Sequence, residues 1–186
     1  MLIIGDGEMA RIAKSYIGEN LELYPDAVFV AIGYKELNRV REKVFNEQKA
    51  LGKEFCSYID LQAINMADSI GLNAFILEQN VLQTGVKIGD NVMLWSGNHI
   101  GHDSEIGDHT YFASHVVLSG HCKVGKRCFF GVNSCIKDST TIGNDCFITM
   151  GAIVTKDMPD NSVAIGRDII TGDKAQKIIN KYFYVE

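Results

Sequence analysis

The sequence has little proline, no long apolar run and no concentration of basic charge. Two Pro among 186 residues exclude collagen-like and proline-rich chains. Lys and Arg number 18 against 23 Asp and Glu, and the net charge of -5 argues against a nucleic-acid partner. No apolar stretch approaches the roughly 18 residues of a membrane span, and the opening MLII is too short for a signal peptide. Neither membrane insertion nor export is therefore expected.

A period of six residues dominates the chain from residue 64 to residue 154. An α-helix would need apolar residues three and four apart, and a half-buried strand would need them two apart. A period of six predicts the hexapeptide repeat of a parallel β-helix, in which three repeats form a triangular coil of about 18 residues. The large apolar positions, predicted to point inward, are Ile64, Ile70, Ile76, Leu82, Ile88, Leu94, Ile100, Ile106, Phe112, Leu118, Val124, Phe130, Ile136, Ile142, Ile148 and Val154.

The five cysteines form no pattern suited to a disulfide framework or a metal site. Five is an odd number, and no CxxC pair occurs. Cys122, Cys128 and Cys146 lie four residues after an apolar position, where the repeat needs a small buried side chain. These thiols are typical of packing residues in a reducing compartment, so a cytoplasmic location is expected.

Residues 1–62 precede the repeats and predict a small β-α-β-α, Rossmann-like domain. Apolar strands at 1–4 and 27–32 are each followed by apolar residues at helical spacing. The first turn, GDGEMA at 5–10, is a degenerate GxGxxA motif. Its glycines could let a diphosphate approach the backbone, or could serve only a tight turn.

The remaining chain divides into a β-helix over 63–166 and a C-terminal loop and helix over 167–186. Residues 173–183 predict the helix, with apolar side chains available for docking at Ile178, Ile179, Tyr182 and Phe183. Such a helix could cap the open end of the prism, which would otherwise expose a strand edge.

All five histidines lie between residues 99 and 121. His109, His115 and His121 each follow an apolar position by three residues, so they are predicted to face outward on three different faces of a coil. They cannot meet within one chain, whereas a trimer could bring such residues together. Each is either an ordinary surface imidazole or part of a shared site.

His102 is the candidate general base. Asp103 follows it and can orient its imidazole. Gly120 lies one coil further along the chain, so the position stacked on His102 has no side chain. This bare corner leaves room for a substrate and a backbone N–H for an oxyanion.

The stretch GNHIGHDSEIGDHTYFASHVVLSGHCKVGKRCFFGVNSCI resembles the left-handed β-helix acyltransferases that N-acetylate amino sugars on nucleotide carriers. The segments GHDS, SGHCKVG and GVNSCI, in this order, are similar to the bacillosamine-pathway N-acetyltransferases and the sialic acid O-acetyltransferase-like proteins. The resemblance implies a homotrimer with active sites between neighbouring prisms. It also implies acetyl-CoA as acyl donor, a nucleotide-linked amino sugar as acceptor, and no metal.

The resemblance also implies roles for individual residues. His102 matches the catalytic base and Asp103 the acidic residue beside it, and the N–H of Gly120 would bind the thioester carbonyl. The positions implied to contact acyl-CoA are Tyr111, Gly120, Val132, Met150 and Gly151. The positions implied to contact the nucleotide sugar are Gly5, Gly7, Gly33 and Asn98.

Three alternatives remain open from the sequence. The acceptor could be a hydroxyl of a sugar or sialic acid, because the same base serves either nucleophile. Three His ligands and a bound water would suffice for a metal hydratase similar to the γ-type carbonic anhydrases. The chain could also be a scaffold whose histidines only mediate trimer contacts.

Overall fold

The computed structural model describes residues 1–18 and 26–184. Strands and helices alternate at the N-terminus, as β1 (Leu2–Ile4), α1 (Glu8–Ile17), β2 (Val28–Val30) and α2 (Arg39–Ala50). Nineteen short strands follow, and then the helix α3 (Gly172–Phe183). Within the described residues, no helix is long and apolar enough to cross a membrane.

The short strands build three sheets, here called sheets I, II and III, which form the sides of a prism. Sheet I contains β3 (Tyr58–Ile59), β6 (Phe75–Ile76), β9 (Met93–Leu94), β12 (Tyr111–Phe112), β15 (Phe129–Phe130), β18 (Phe147–Ile148), β20 (Val163–Ile165) and β21 (Asp168–Ile170). Sheet II contains β4 (Ile64–Asn65), β7 (Val81–Leu82), β10 (His99–Ile100), β13 (Val117–Leu118), β16 (Cys135–Ile136) and β19 (Ile153–Val154). Sheet III contains β5 (Ser69–Ile70), β8 (Lys87–Ile88), β11 (Glu105–Ile106), β14 (Lys123–Val124) and β17 (Thr141–Ile142).

The strand register confirms the hexapeptide repeat. Equivalent residues of successive coils pair in parallel, so Ile100 lies on Leu118, and Leu118 on Ile136. From Ile76 onward, every predicted inward position is at most 5% exposed. The thiols of Cys122, Cys128 and Cys146 are fully buried, as the small position requires. Burial of this apolar column is the main stabilising contribution to the prism.

Ile64 departs from the predicted pattern. It pairs with the outward Val81, while Asn65 pairs with the inward Leu82, so the coil here is one residue shorter than the regular coils that follow. Because side chains alternate along a strand, a shift of one residue turns Ile64 outward, and its side chain is 56% exposed. The regular six-residue period therefore begins at Ile70, which pairs with Ile88.

The N-terminal region has the predicted β-α-β-α order, and its parallel sheet has two strands, β1 and β2. Helix α1 buries an apolar stripe that includes Met9, Ala13 and Ile17. This stripe packs with outward side chains of sheet I, among them Phe75 and Met93. The N-terminal region therefore covers one side of the prism.

Helix α3 forms where the sequence predicts it, but it does not close the end of the prism. Its buried residues Ile179 and Phe183 pack against Phe147 and Val163, which point outward from sheet I. These large apolar side chains draw the helix onto the side of the last coils. The end of the prism is instead contacted by β21, whose Ile169 packs against the inner core.

The outward residues give the three sides of the prism different characters. Those of sheet I are covered by the N-terminal region and α3. Those of sheet III are polar or charged in every strand, namely Ser69, Lys87, Glu105, Lys123 and Thr141. Those of sheet II are mostly apolar and stay at least partly exposed, namely Ile64, Val81, His99, Val117, Cys135 and Ile153.

Candidate active site

His102 and Asp103 lie in the turn 101–104, at the corner where sheet II passes into sheet III. Asp103 has a left-handed backbone with φ of 56°, and its N–H donates to the carbonyl of Thr84. The amide N–H of His102 donates to Gln83 Oε1 at 2.8 Å. Bonds to the preceding coil thus hold the corner, which brings the two side chains together.

The imidazole of His102 is oriented by the carboxylate of Asp103. His102 Nδ1 lies 2.9 Å from Asp103 Oδ2, so Nδ1–H donates to the carboxylate and Nε2 is left as an acceptor. This hydrogen bond, with a further contribution from the charge of His121, lowers the pKa of Asp103. Both side chains of the pair are about half-exposed. The pair is therefore open to a substrate and has a carboxylate that stays ionised at neutral pH.

Gly120 faces the imidazole from the next coil. A Cβ at this position would lie 2.7 Å from His102 Nε2, so a larger residue would collide with the ring. Within the described residues, the N–H of Gly120 donates to no acceptor. The space beside the base nitrogen is thus free of any side chain from the next coil.

His121 also belongs to this corner, which the sequence reasoning missed. Its ring is perpendicular to that of His102, with centroids 4.7 Å apart, and its Nδ1 lies 3.9 Å from Asp103 Oδ2. A signal was available, because His121 follows Asp103 by 18 residues, the length of one regular coil. Among the described residues, His102, Asp103 and His121 form a group whose ligand atoms all lie within 4.8 Å of one another, as metal binding would need.

His109 faces outward from the prism, as predicted, but it is not exposed. It is buried beneath α2, where its Nδ1 lies 2.9 Å from Asn91 Nδ2 and its Nε2 lies 3.7 Å from Glu42 Oε1. Burial lowers its pKa to about 4. His115 is exposed at another corner, where sheet I passes into sheet II. Within one chain, His109, His115 and His121 thus occupy three different corners.

A cavity of about 880 Å³ lies between the N-terminal region and sheet I. Its lining brings together Gly5, Gly7, Gly33 and Tyr111, although these residues come from distant parts of the sequence. Gly5 has φ of +137°, and a Cβ there would lie 2.5 Å from the carbonyl oxygen of Ala31. Only glycine fits that close approach. The further lining residues are Asp6, Glu8, Met9, Ile12, Ala31, Ile32, Tyr34, Lys35, Val40, Trp95, Tyr182 and Phe183.

Asn98 does not reach this cavity as a free polar group. It is 1% exposed, its Oδ1 accepts from the N–H of Val116 at 2.8 Å, and its Nδ2 donates to the carbonyl of Trp95. Both polar atoms are therefore used within the corner, and the implied contact with a nucleotide sugar stays a prediction.

The other implied acyl-CoA residues lie at the corner between sheets I and II. Val132 is 42% exposed and Met150 is 78% exposed, and Gly151 lies beside Met150 in the turn 149–152. This corner and the His102 corner are at opposite edges of sheet II. The cavity lining includes neither His102 nor Gly120. One chain alone thus leaves the base, the cavity and the Met150 corner apart.

The repeats match two families of known proteins. Residues 85–120 match the family described as bacterial transferase hexapeptide (six repeats). Residues 122–156 match the hexapeptide repeat of succinyl-transferase. No curated protein matches the chain.

Several solved bacterial proteins have a similar fold. PerB from Caulobacter crescentus, in complex with CoA and GDP-perosamine, is 21% identical with a TM-score of 0.80, over 91% of this chain and 96% of that one. WeeI from Acinetobacter baumannii is 19% identical with a TM-score of 0.79, over 90% and 98%. The acetyltransferase domain of PglB from Neisseria gonorrhoeae, in complex with acetyl coenzyme A, is 25% identical with a TM-score of 0.68, over 74% and 66%.

Repeats and fold together define the class of the chain. Its solenoid of about six turns fits a left-handed β-helix. The chain therefore carries the hexapeptide repeats of bacterial transferases and is similar in fold to sugar N-acetyltransferases, and both likenesses support an acyltransferase.

Proposed function

We propose that the chain is an acetyl-CoA-dependent N-acetyltransferase that acts on the amino group of a nucleotide-linked amino-deoxy sugar. The observation that carries this function is the exposed corner at which Asp103 orients His102 beside the bare Gly120. General-base acyl transfer needs a base nitrogen that can accept a proton and a hydrogen-bond donor for the oxyanion, and this corner offers both.

Transfer proceeds directly from the thioester to the amine. The amine lone pair attacks the thioester carbon while His102 Nε2 accepts a proton from the nitrogen. The N–H of Gly120 stabilises the oxyanion. The tetrahedral intermediate then breaks its C–S bond, and the CoA thiolate takes the proton from His102. Asp103 stabilises the transient imidazolium.

No cysteine is needed as a nucleophile. Cys122, the thiol nearest in sequence to Gly120, is buried, and its Sγ lies 3.3 Å from the carbonyl of Lys137. Burial raises its pKa, which lowers its thiolate content. A thiol of this kind packs the corner, and the acyl group passes directly to the sugar without an acyl-enzyme.

We assign the nucleotide sugar to the cavity, with residues 1–62 as a Rossmann-like binding domain, 63–166 as the catalytic β-helix and 167–186 as a supporting loop and helix. Gly5 and Gly7 precede α1, where backbone N–H groups favour a diphosphate. Tyr34, Trp95 and Tyr111 supply aromatic walls on which a base can stack. GDP-perosamine bound by PerB, which has a similar fold, supports this class of acceptor.

Acetyl-CoA is the proposed donor, and the corner with Val132, Met150 and Gly151 is its proposed contact. Exposed apolar side chains such as Met150 suit the pantetheine arm. CoA in PerB and acetyl-CoA in the PglB domain support the choice of donor. The reducing cytosol, which holds acetyl-CoA and keeps thiols free, is the compartment that this function needs.

A homotrimer would bring the separated parts together. The outward face of sheet II is mostly apolar and uncovered, while that of sheet III is polar or charged, so sheet II is the side that a second copy would bury. The His102 corner lies at one edge of sheet II, and the turn with Trp95 lies at the other. Packing between copies can therefore place the base of one chain beside the cavity of the next.

The test is CoA thiol release from acetyl-CoA with a panel of UDP-, dTDP- and GDP-linked amino sugars. We expect turnover with at least one amine and a fall in kcat of about a hundredfold or more in His102→Ala. The control is Lys43→Ala, which removes an exposed side chain of α2 away from both corners of sheet II and should keep its activity. Near-normal turnover in His102→Ala would rule out the base.

The same assay separates the alternatives. Activity only with sugar hydroxyls would make the enzyme an O-acetyltransferase. The metal-hydratase alternative loses support, because one of its three expected ligands, His109, is buried beneath α2. A scaffold without catalytic function would bind no acyl-CoA.

A further inference from the structure

We propose that His102, Asp103 and His121 form a binding site for Zn²⁺, and that the bound ion inhibits the enzyme by occupying its base. Metal binding stands on the geometry of these residues alone. The inhibitory effect rests on the proposed function, because it needs His102 to act as the base.

The three ligand atoms already converge. His102 Nδ1 and His121 Nδ1 lie 2.9 and 3.9 Å from the same Asp103 oxygen, and each of the three residues offers one ligand atom within 4.8 Å of the other two. Ligands of a tetrahedral Zn²⁺ at about 2.0–2.2 Å are separated by roughly 3.3–3.5 Å. Small side-chain rotations are therefore enough to enclose an ion.

The backbone under the ligands is held by neighbouring coils. Asp103 and His121 both have left-handed φ values, of 56° and 55°. The N–H of His121 donates to the carbonyl of His102 at 2.8 Å, which ties the two turns together. Because the solenoid already fixes the backbone of both turns, little conformational entropy is lost when the three ligands bind an ion.

The donor set selects the class of ion. Two imidazole nitrogens and one carboxylate oxygen suit Zn²⁺, whereas Mg²⁺ and Ca²⁺ prefer ligand sets made of oxygen alone. Three protein ligands leave a fourth position for water. All three side chains are more than half-exposed, so an ion in solution can reach them.

Inhibition follows from the two nitrogens of one ring. In the hydrogen-bonded pair, the proton of His102 is on Nδ1 and Nε2 is free to accept. Zn²⁺ on Nδ1 displaces that proton, and the neutral ring then carries its proton on Nε2. In this tautomer, His102 can no longer accept a proton from the acceptor amine.

The binding test uses the full chain, freed of metal by a chelator and titrated with Zn²⁺ alone in a calorimeter. Cys135→Ser serves as the common background, because Cys135 is an exposed thiol that could bind Zn²⁺ independently. In this background we expect one Zn²⁺ per chain and a loss of affinity of about tenfold or more in His121→Ala. His115→Ala is the matched control and should bind as the background does.

Two results would overturn the site. One is no heat of Zn²⁺ binding in the background protein, and the other is unchanged affinity in His121→Ala. Circular dichroism of each variant shows whether the fold is intact. Titration with Co²⁺ gives an independent readout, since intense visible absorption marks tetrahedral coordination and should be lost with His121.

The activity arm separates this site from the proposed function. Zn²⁺ should inhibit acetyl transfer, EDTA should restore it, and the inhibition constant should rise in His121→Ala by the same factor as the Kd. Zn²⁺ binding with unchanged turnover would refute coordination by His102. Absence of turnover in metal-free enzyme with every acceptor would refute the proposed function, and the calorimetry would still decide the metal site.

Discussion

Arg41 of helix α2 donates a hydrogen bond to the carbonyl oxygen of His109, with 2.6 Å between Nη2 and O. The guanidinium is fully buried, and its Nη1 also donates to the carbonyl of Gly33 and to Asn38 Oδ1. Its Cζ lies 5.7 Å from the centre of the Tyr111 ring. Because Gly33 and Tyr111 both line the cavity, Arg41 holds the two halves of the cavity wall in one arrangement.

Replacement of Arg41 by Leu should destabilise the protein by about 3 kcal/mol, because the buried carbonyls of Gly33 and His109 would lose their donor. Urea denaturation measures the change. The matched control is Arg11→Leu, which removes an exposed arginine whose recorded partner is the exposed Glu8 and should cost little. Equal stability of the two variants would show that Arg41 does not join the regions.

Gly120→Ala should abolish most acetyl transfer and leave the fold intact. The added methyl group would lie 2.7 Å from His102 Nε2 and displace the ring from its reactive position. A displacement of about 1 Å can cost roughly a hundredfold in rate. Kinetics and a thermal melt on the same sample test this. A normal kcat would mean that Nε2 does not need the space over Gly120.

Stability should fall in acid because of His109. Its pKa is lowered to about 4 by burial, so the unfolded chain binds this proton more readily than the folded one. The stability associated with the neutral ring is present above about pH 6.5 and is lost as the pH falls toward 4, by about 3 kcal/mol. His109→Gln should lack this part of the pH dependence, and the exposed His115→Gln should retain it. Denaturation curves between pH 7 and 4 give the comparison.

Val117→Lys should dissociate the proposed trimer. Val117 points outward from the middle of sheet II and is 40% exposed in the isolated chain. Three lysines brought together in an apolar interface would be desolvated and would repel one another. Sedimentation should give three times 20.6 kDa for the wild type and one chain for the variant. Lys123→Glu on sheet III is the control, and a monomeric wild type would contradict the trimer.

The repeat could be predicted from sequence because each coil depends only on its neighbours. One large residue every six positions specifies the prism, and small buried residues such as Cys122 recur with the same period. The one-residue shift at Ile64 could not be predicted, since a coil shortened by a single residue keeps a nearly identical apolar pattern. Only the pairing of Asn65 with Leu82 reveals it.

Part of the candidate site could also be predicted from sequence, because residues one coil apart are stacked on each other. The length of one coil predicts that Gly120 faces His102, and it also places His121 on Asp103. The burial of His109 depends on α2, which comes from a distant segment of the sequence and leaves no local signal. Contacts between the N-terminal region and the prism, such as those of Arg41, are likewise long-range and follow no period.

Because Asp103 and His121 are one coil apart, the geometry of the candidate site does not depend on the number of coils in the prism. The turns 101–104 and 119–122 are adjacent coils of one stack, so whole coils could be added or removed below β7 or above β16 without moving the base. A single inserted residue between Asp103 and His121 would instead turn one corner out of line with the other. The site should therefore tolerate the insertion of a whole coil elsewhere in the prism, whereas a single residue inserted between its two turns would disrupt it.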